Sequence, residues 1–124
     1  MRANMVHRRF QKCAKHVKIY LFRTYFTSLF CMATWEPNDK QLNEIRVAYN
    51  NSFRIIFSYK RQHSASTMFA KNRVNDFTAI RRVAVYSLMR RCNSSRNVII
   101  NSLYHLFTHQ NSQLNKKWTE LLYV

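Results

Sequence analysis

No glycine occurs in this chain of 124 residues, and its one proline is Pro37. Tight hairpins draw on glycine for their positive-φ positions, and small sheets draw on it for bulges and bends. A β-rich domain of this length would have few ways to reverse its strands without it. The expected fold class is therefore all-α, a small irregular bundle of about five helices. The same absence removes any glycine-rich loop that could cradle a phosphate. The length is that of one domain able to bury a core. We read 1–124 as a single helical domain with a basic amphipathic region over 1–35, a helical region over 38–108 and a polar C-terminal tail over 109–124.

Residues 41–72 organise the rest. Leu42, Ile45, Tyr49, Phe53 and Ile56 recur every three or four residues, which predicts a helix over 41–59. Asn43, Asn51, Arg54 and Ser58 fall on its opposite face, with Arg46 on the flank. Asn38 or Asp39 caps its start, and Asn38 with Gln41 fits a capping box. Upstream, Val6, Phe10, Cys13, Val17 and Leu21 mark an amphipathic helix, with Arg8, Lys12 and Lys15 on its other side. Its pattern continues through Tyr25, Leu29 and Met32 to Trp35, where Glu36 and Pro37 stop it. Downstream, a basic turn at 60–63 precedes a short helix over 65–71 capped by Ser64. Asn75 or Asp76 caps a helix over 77–92, and Ser94 and Ser95 cap another over 96–108. Residues 111–115 read as a loop. A last turn or two over 116–124 has Trp118, Leu121 and Leu122 on its apolar side.

The charge balance names the partner class. There are 21 Lys and Arg against 5 Asp and Glu, a net charge of +16. Nucleic acid suits such a field best, and an anionic membrane surface comes second. An aromatic share of 15% is too high for a disordered basic tail. The cation-rich start of the chain resembles a mitochondrial presequence in composition, but it also reads as a helix of the fold, and we take the second reading. The apolar run 19–35 is interrupted by Arg23 and is short of the roughly 20 apolar residues a membrane span needs. Cys13, Cys31 and Cys92 are odd in number and far apart. That fits a reducing, intracellular compartment, cytoplasmic or nuclear, better than a disulfide framework.

Candidate contacts come from two places. Arg46, Arg54, Lys60, Arg61 and His63 gather charge on and just after the central helix. On the helix over 77–92, Phe77, Ile80, Ala84, Val85, Leu88 and Cys92 cover a broad apolar arc. They leave a narrow line of Arg82, Tyr86 and Arg90 at i, i+4 and i+8. Arginine with an interleaved aromatic suits a phosphate backbone and a stacked base; the same line also fits a plain solvated stripe. Arg81 and Arg91 lie in or beside the apolar arc and must snorkel, find a carboxylate or face an anion.

Catalysis is not expected. Two-metal phosphoryl transfer needs clustered carboxylates, and Glu36, Asp39, Glu44, Asp76 and Glu120 are scattered along the chain. Cys92, His105 and His109 copy the second half of a zinc finger. The first cysteine is missing, since Ser87, Leu88 and Met89 stand in its place. We expect no metal and no cofactor.

Four segments together resemble a known family. They are YLFRTYF at 20–26 with Trp35, Leu42 with RVAYNNSFRIIF at 46–57, HSASTMF at 63–69, and NSSRNVII at 93–100. In this order they resemble the region after the polymerase core in LINE-type (non-LTR) retrotransposon reverse transcriptases, and the resemblance covers about residues 16–105. It implies a helical thumb or connector that helps hold template and primer beside an upstream palm domain. The family's catalytic Asp pair lies in that palm and has no counterpart here. The resemblance further implies that Arg46, Arg54 and His63, with Lys60 and Arg61 beside them, meet phosphate. Ser58-Tyr59-Lys60 stands where the family has Gly-x-Pro, and Phe30-Cys31 where it has Tyr-Gly. On this reading the chain is a drifted element copy, and Met1 is an internal methionine.

Overall fold

A computed structural model describes residues 2–27, 33–34, 37–109 and 112–123. Among them there are seven helices and no strand. The all-α expectation holds; the expected number of about five is too low, and the difference arises at the two ends of the chain. Where the sequence reads as one domain, contacts group the chain into two compact units, Met1–Phe30 with Pro37–Ile80, and Cys31–Glu36 with Arg81–Val124.

The first unit holds α1 (Arg2–Phe10), α2 (Lys15–Phe26), α3 (Asp39–Phe57) and α4 (Ala65–Asn72), together with the start of α5 (Phe77–Asn93). One continuous first helix was expected, but the chain breaks between α1 and α2. The Cys13 N–H turns back to the Phe10 carbonyl, and Ala14 is extended at φ −59°, ψ 153°. Tertiary packing overrides the sequence pattern here. Cys13, Val17 and Leu21 are only half-buried, while Phe22, one position off that line, is fully buried. The break gives α2 the phase that seats Phe22 among the rings of α3. Leu29, Met32, Trp35 and Glu36, on which the expected continuation and stop rest, lie outside the described residues. So do Phe30, Cys31, Asn111 and Val124.

The centre of this unit is aromatic. Phe53 is fully buried, with ring centroids 5.0 Å from Phe22, 4.4 Å from Phe57 and 4.7 Å from Phe69. Tyr49 lies 5.2 Å from Phe22 and 5.4 Å from Phe69, and donates its hydroxyl to the Asn75 carbonyl at 2.9 Å. These separations are those of attractive edge and offset ring pairs. α1 and α2 both pack on α3. The α3 capping box forms as its residues predict: the Gln41 N–H donates to Asn38 Oδ1 at 2.8 Å, and the Asn38 N–H donates to Gln41 Oε1 at 3.1 Å. Asp76 caps α5 by accepting from the Ala79 N–H at 2.7 Å. Ser64 precedes α4 as expected but makes no cap bond, and its hydroxyl meets that of Ser66 instead.

The second unit holds the rest of α5, α6 (Val98–His109) and α7 (Gln113–Tyr123). Among the described residues its buried cluster is Ala33, Val85 and Trp118, ringed by half-buried Leu88, Phe107, Leu114 and Leu121. The Trp118 indole donates to the Ala33 carbonyl at 2.8 Å, which satisfies the one polar atom of a large buried ring. α6 starts two residues later than expected because Asn97, not Ser94 or Ser95, caps it: its Oδ1 accepts from the Ile99 N–H at 2.9 Å. The last helix begins earlier than 116. The Ser112 hydroxyl accepts from the Asn115 N–H at 3.1 Å, so the described part of the expected 111–115 loop is mostly helix. No helix among the described residues is long and apolar enough to cross a membrane.

Candidate nucleic-acid interface

Arg54 is the joint of the first unit's basic surface. It leaves the last turn of α3 and donates Nη1 to Asn51 Oδ1 and Nη2 to the His63 carbonyl, each at 3.1 Å. The sequence places Arg54 on an outward face; the chain folds back over it and leaves it half-buried. Its Nε is buried and has no hydrogen-bond partner. The guanidinium therefore pins the turn at 60–63 against α3.

That turn closes on itself. The His63 N–H donates to the Lys60 carbonyl at 3.1 Å, and the His63 ring sits edge-on to Tyr59 at 5.4 Å. Lys60, Arg61 and His63 are exposed. Lys60 and Arg61 lie beyond the last turn of α3, where the helix dipole has fallen off, so their charge is not spent on stabilising that helix. Arg46 is also exposed and donates to Asn43 Oδ1 at 2.7 Å, one turn back on α3. Two clefts meet at Arg54. One, of about 460 Å³, is lined by Arg46, Asn50, Ser66 and Asp76 among others. The other, of about 450 Å³, includes His7, Asn51, Ser58 and Arg61. Arg46, Arg54, Arg61 and the turn thus belong to one surface of this unit.

His7 is half-buried on α1. Its place is legible in the spacing: Ala3, His7 and Phe10 stand at i, i+4 and i+7, and Ala3 is buried. His7 therefore shares the packed face of α1.

In the second unit, Arg82, Tyr86 and Arg90 are all exposed along α5, as their spacing predicts. Tyr86 is 61% exposed, enough to offer a ring face to solvent. Arg82 also donates Nε to the Leu121 carbonyl at 2.9 Å, so it helps seat α7. Of the two odd arginines, Arg91 turns back to the Ser87 carbonyl at 3.3 Å. Arg81 is half-buried, and burial lowers its pKa from the ordinary value.

Two of the carboxylates serve helix ends. Asp76 caps α5 and Asp39 opens α3. Among the described residues no three His, Cys, Asp or Glu side chains gather where a metal ion could sit. The side chain of His109, part of the half-finger pattern, lies outside them. In comparisons with known proteins, no protein-family model, no curated protein and no solved structure matches this chain.

Proposed function

We propose that the chain is a non-catalytic, phosphate-gripping region of a LINE-type reverse transcriptase, a thumb or connector that binds an RNA or DNA backbone beside an upstream palm domain. The observation that carries the reading is at Ser58. This residue stands where the family has its glycine, and its backbone is left-handed, at φ 57°, ψ 34°. Glycine takes that conformation without steric cost. A second support is that two motif segments pack on one another. Phe53 of the first meets Phe69 of the second, and Arg54 of the first donates to His63 of the second.

The membrane alternative is less well supported. A helix lying in a bilayer surface needs a free apolar face. In α1 that face is spent on α3: Ala3 is buried, and Val6 and Phe10 are half-buried.

The test compares sites by anisotropy of a labelled oligonucleotide across a salt series. Exchanging Lys60 and Arg61 for Gln together, or Arg82 and Arg90 together, should weaken binding and flatten the log–log salt slope by about one unit per lost contact. Exchanging Lys116 and Lys117 should do less. Equal losses from all three pairs would reduce the interaction to net charge and sink the site assignment. Binding to anionic vesicles without comparable affinity for RNA or DNA would favour the membrane reading. Purified protein should incorporate no nucleotide with magnesium, since nothing in the sequence clusters carboxylates for two metal ions.

A further inference from the structure

The cleft between α1 and the end of α3 holds an electrostatic anomaly. His7, Arg54 and Arg61 line the same space of about 450 Å³, and no carboxylate lines it with them. Two nitrogens of these lining residues, His7 Nδ1 and Arg54 Nε, are buried without any hydrogen-bond partner. A buried polar atom left unpaired costs about 1–3 kcal/mol, and a buried cationic group costs more unless an anion meets it. Ser58 lines the same space.

We infer that this cleft is a binding site for a phosphate group, with His7 as one of its ligands. The donor set points to a tetrahedral oxyanion. Two arginines, a histidine and a serine line the space from three places: α1, the end of α3 and the basic turn. Several oxygens on one centre can take bonds from all of them, whereas a planar carboxylate is matched by one arginine fork. The scaffold is fixed before anything binds. Arg54 is held by Asn51 and the His63 carbonyl, and these two bonds leave three of its five N–H donors uncommitted, the one on Nε among them. The phosphate comes either from a nucleic-acid strand or from free phosphate. Only the first source rests on the function proposed above.

Thermal unfolding is followed while inorganic phosphate replaces chloride at constant ionic strength. Phosphate should raise the melting temperature, and His7→Ala should weaken its apparent affinity about ten- to hundredfold, as loss of one charge-assisted bond requires. Arg61→Gln, a change at an exposed side chain that should leave the fold intact, should weaken it similarly. No phosphate effect beyond that of chloride overturns the site, and so does an effect that survives both substitutions. A second arm compares one oligonucleotide with and without a 5′-phosphate. Tighter binding of the phosphorylated strand, lost in His7→Ala, assigns the site to a strand end; equal binding of both that His7→Ala weakens assigns it to a backbone phosphate; equal binding of both that His7→Ala leaves unchanged, with the orthophosphate effect intact, assigns it to free phosphate. Oligonucleotide binding that ignores His7→Ala, together with no orthophosphate effect, leaves the proposed function standing and removes this site. An orthophosphate effect at His7 in a protein that binds no oligonucleotide does the reverse.

Discussion

Replacing Arg54 separates a residue that touches nucleic acid from one that positions others to do so. The resemblance implies a phosphate contact, but two of its donors are already committed within the chain. Bonds from a charged donor are worth about 1.5–3 kcal/mol each when buried. Here one is exposed and the other only partly buried, so water recovers much of the loss, and Arg54→Ala should cost about 1–2 kcal/mol in total. For a unit of this size each kcal/mol lowers the melting temperature by roughly 4–8 °C. The same substitution frees the turn bearing Lys60 and Arg61. The duplex salt slope should then flatten by about two units or more, against about 0.9 for one lost contact. Arg54→Lys decides the matter. Lysine keeps the charge and loses the planar fork, so a positioning role predicts losses close to those of alanine. Urea denaturation and anisotropy on the same preparations supply both readouts. Wild-type stability with a slope change of one unit in Arg54→Ala, and near-normal binding by Arg54→Lys, would refute the positioning argument.

Phe53→Ala removes the fully buried ring that meets four others and should destabilise the first unit by about 3–5 kcal/mol, read by urea unfolding. Tyr49 gives a pH test: burial first, and then the Asp76 carboxylate, raise its phenol well above the ordinary value, opposed by Arg23. The unfolded chain ionises near pH 10 while the folded one holds its proton, so stability is complete below that pH and falls above it by up to about 1.4 kcal/mol per pH unit; Tyr49→Phe should remove that part of the alkaline slope. Ser58→Gly should raise stability by about 0.5–1 kcal/mol, because relief of the left-handed strain exceeds the added entropy of the unfolded chain; a loss of stability instead would mean that the serine hydroxyl holds the turn.

Legibility followed the range of the interactions. The α3 capping box and the Asp76 cap were readable because each lies within four residues and uses side chains with one strong local option. Tyr49, Phe53 and Ile56 were readable because a long helix keeps its phase. The α1–α2 break was not. Nothing local forbids a helix at 11–14, and the decision lies in where Phe22 meets Tyr49 and Phe53, contacts that span about thirty residues of sequence. Ser112 was hidden for another reason. A serine among polar residues signals a cap only when a helix is known to follow, and the following residues Gln113, Leu114 and Asn115 have no clear apolar period. In the candidate site, exposed charges were legible one by one. The inward bend that joins Arg54 to His63 was not, because it is set by ring packing under the turn.

The missing glycines bear on both the fold and the function. Among the described residues two non-glycine positions have positive φ, Ser58 at 57° and Arg73 at 52°. Each ends a helix, α3 and α4, and each N–H turns back to carbonyls of the last turn. A left-handed residue with a side chain costs roughly 1–2 kcal/mol, and both ends recover part of this in the same way. The next residue, Tyr59 or Val74, donates its N–H five residues back and packs its side chain inward, the apolar contact that commonly accompanies such helix ends. Asn72 then joins the two ends by donating Nδ2 to the Tyr59 hydroxyl at 3.1 Å. A chain without glycine can carry this cost at two helix ends that support each other. It could not carry it at every turn of a sheet. That is why the composition leads to helices, and why the strain that remains sits beside the basic turn, whose geometry depends on it.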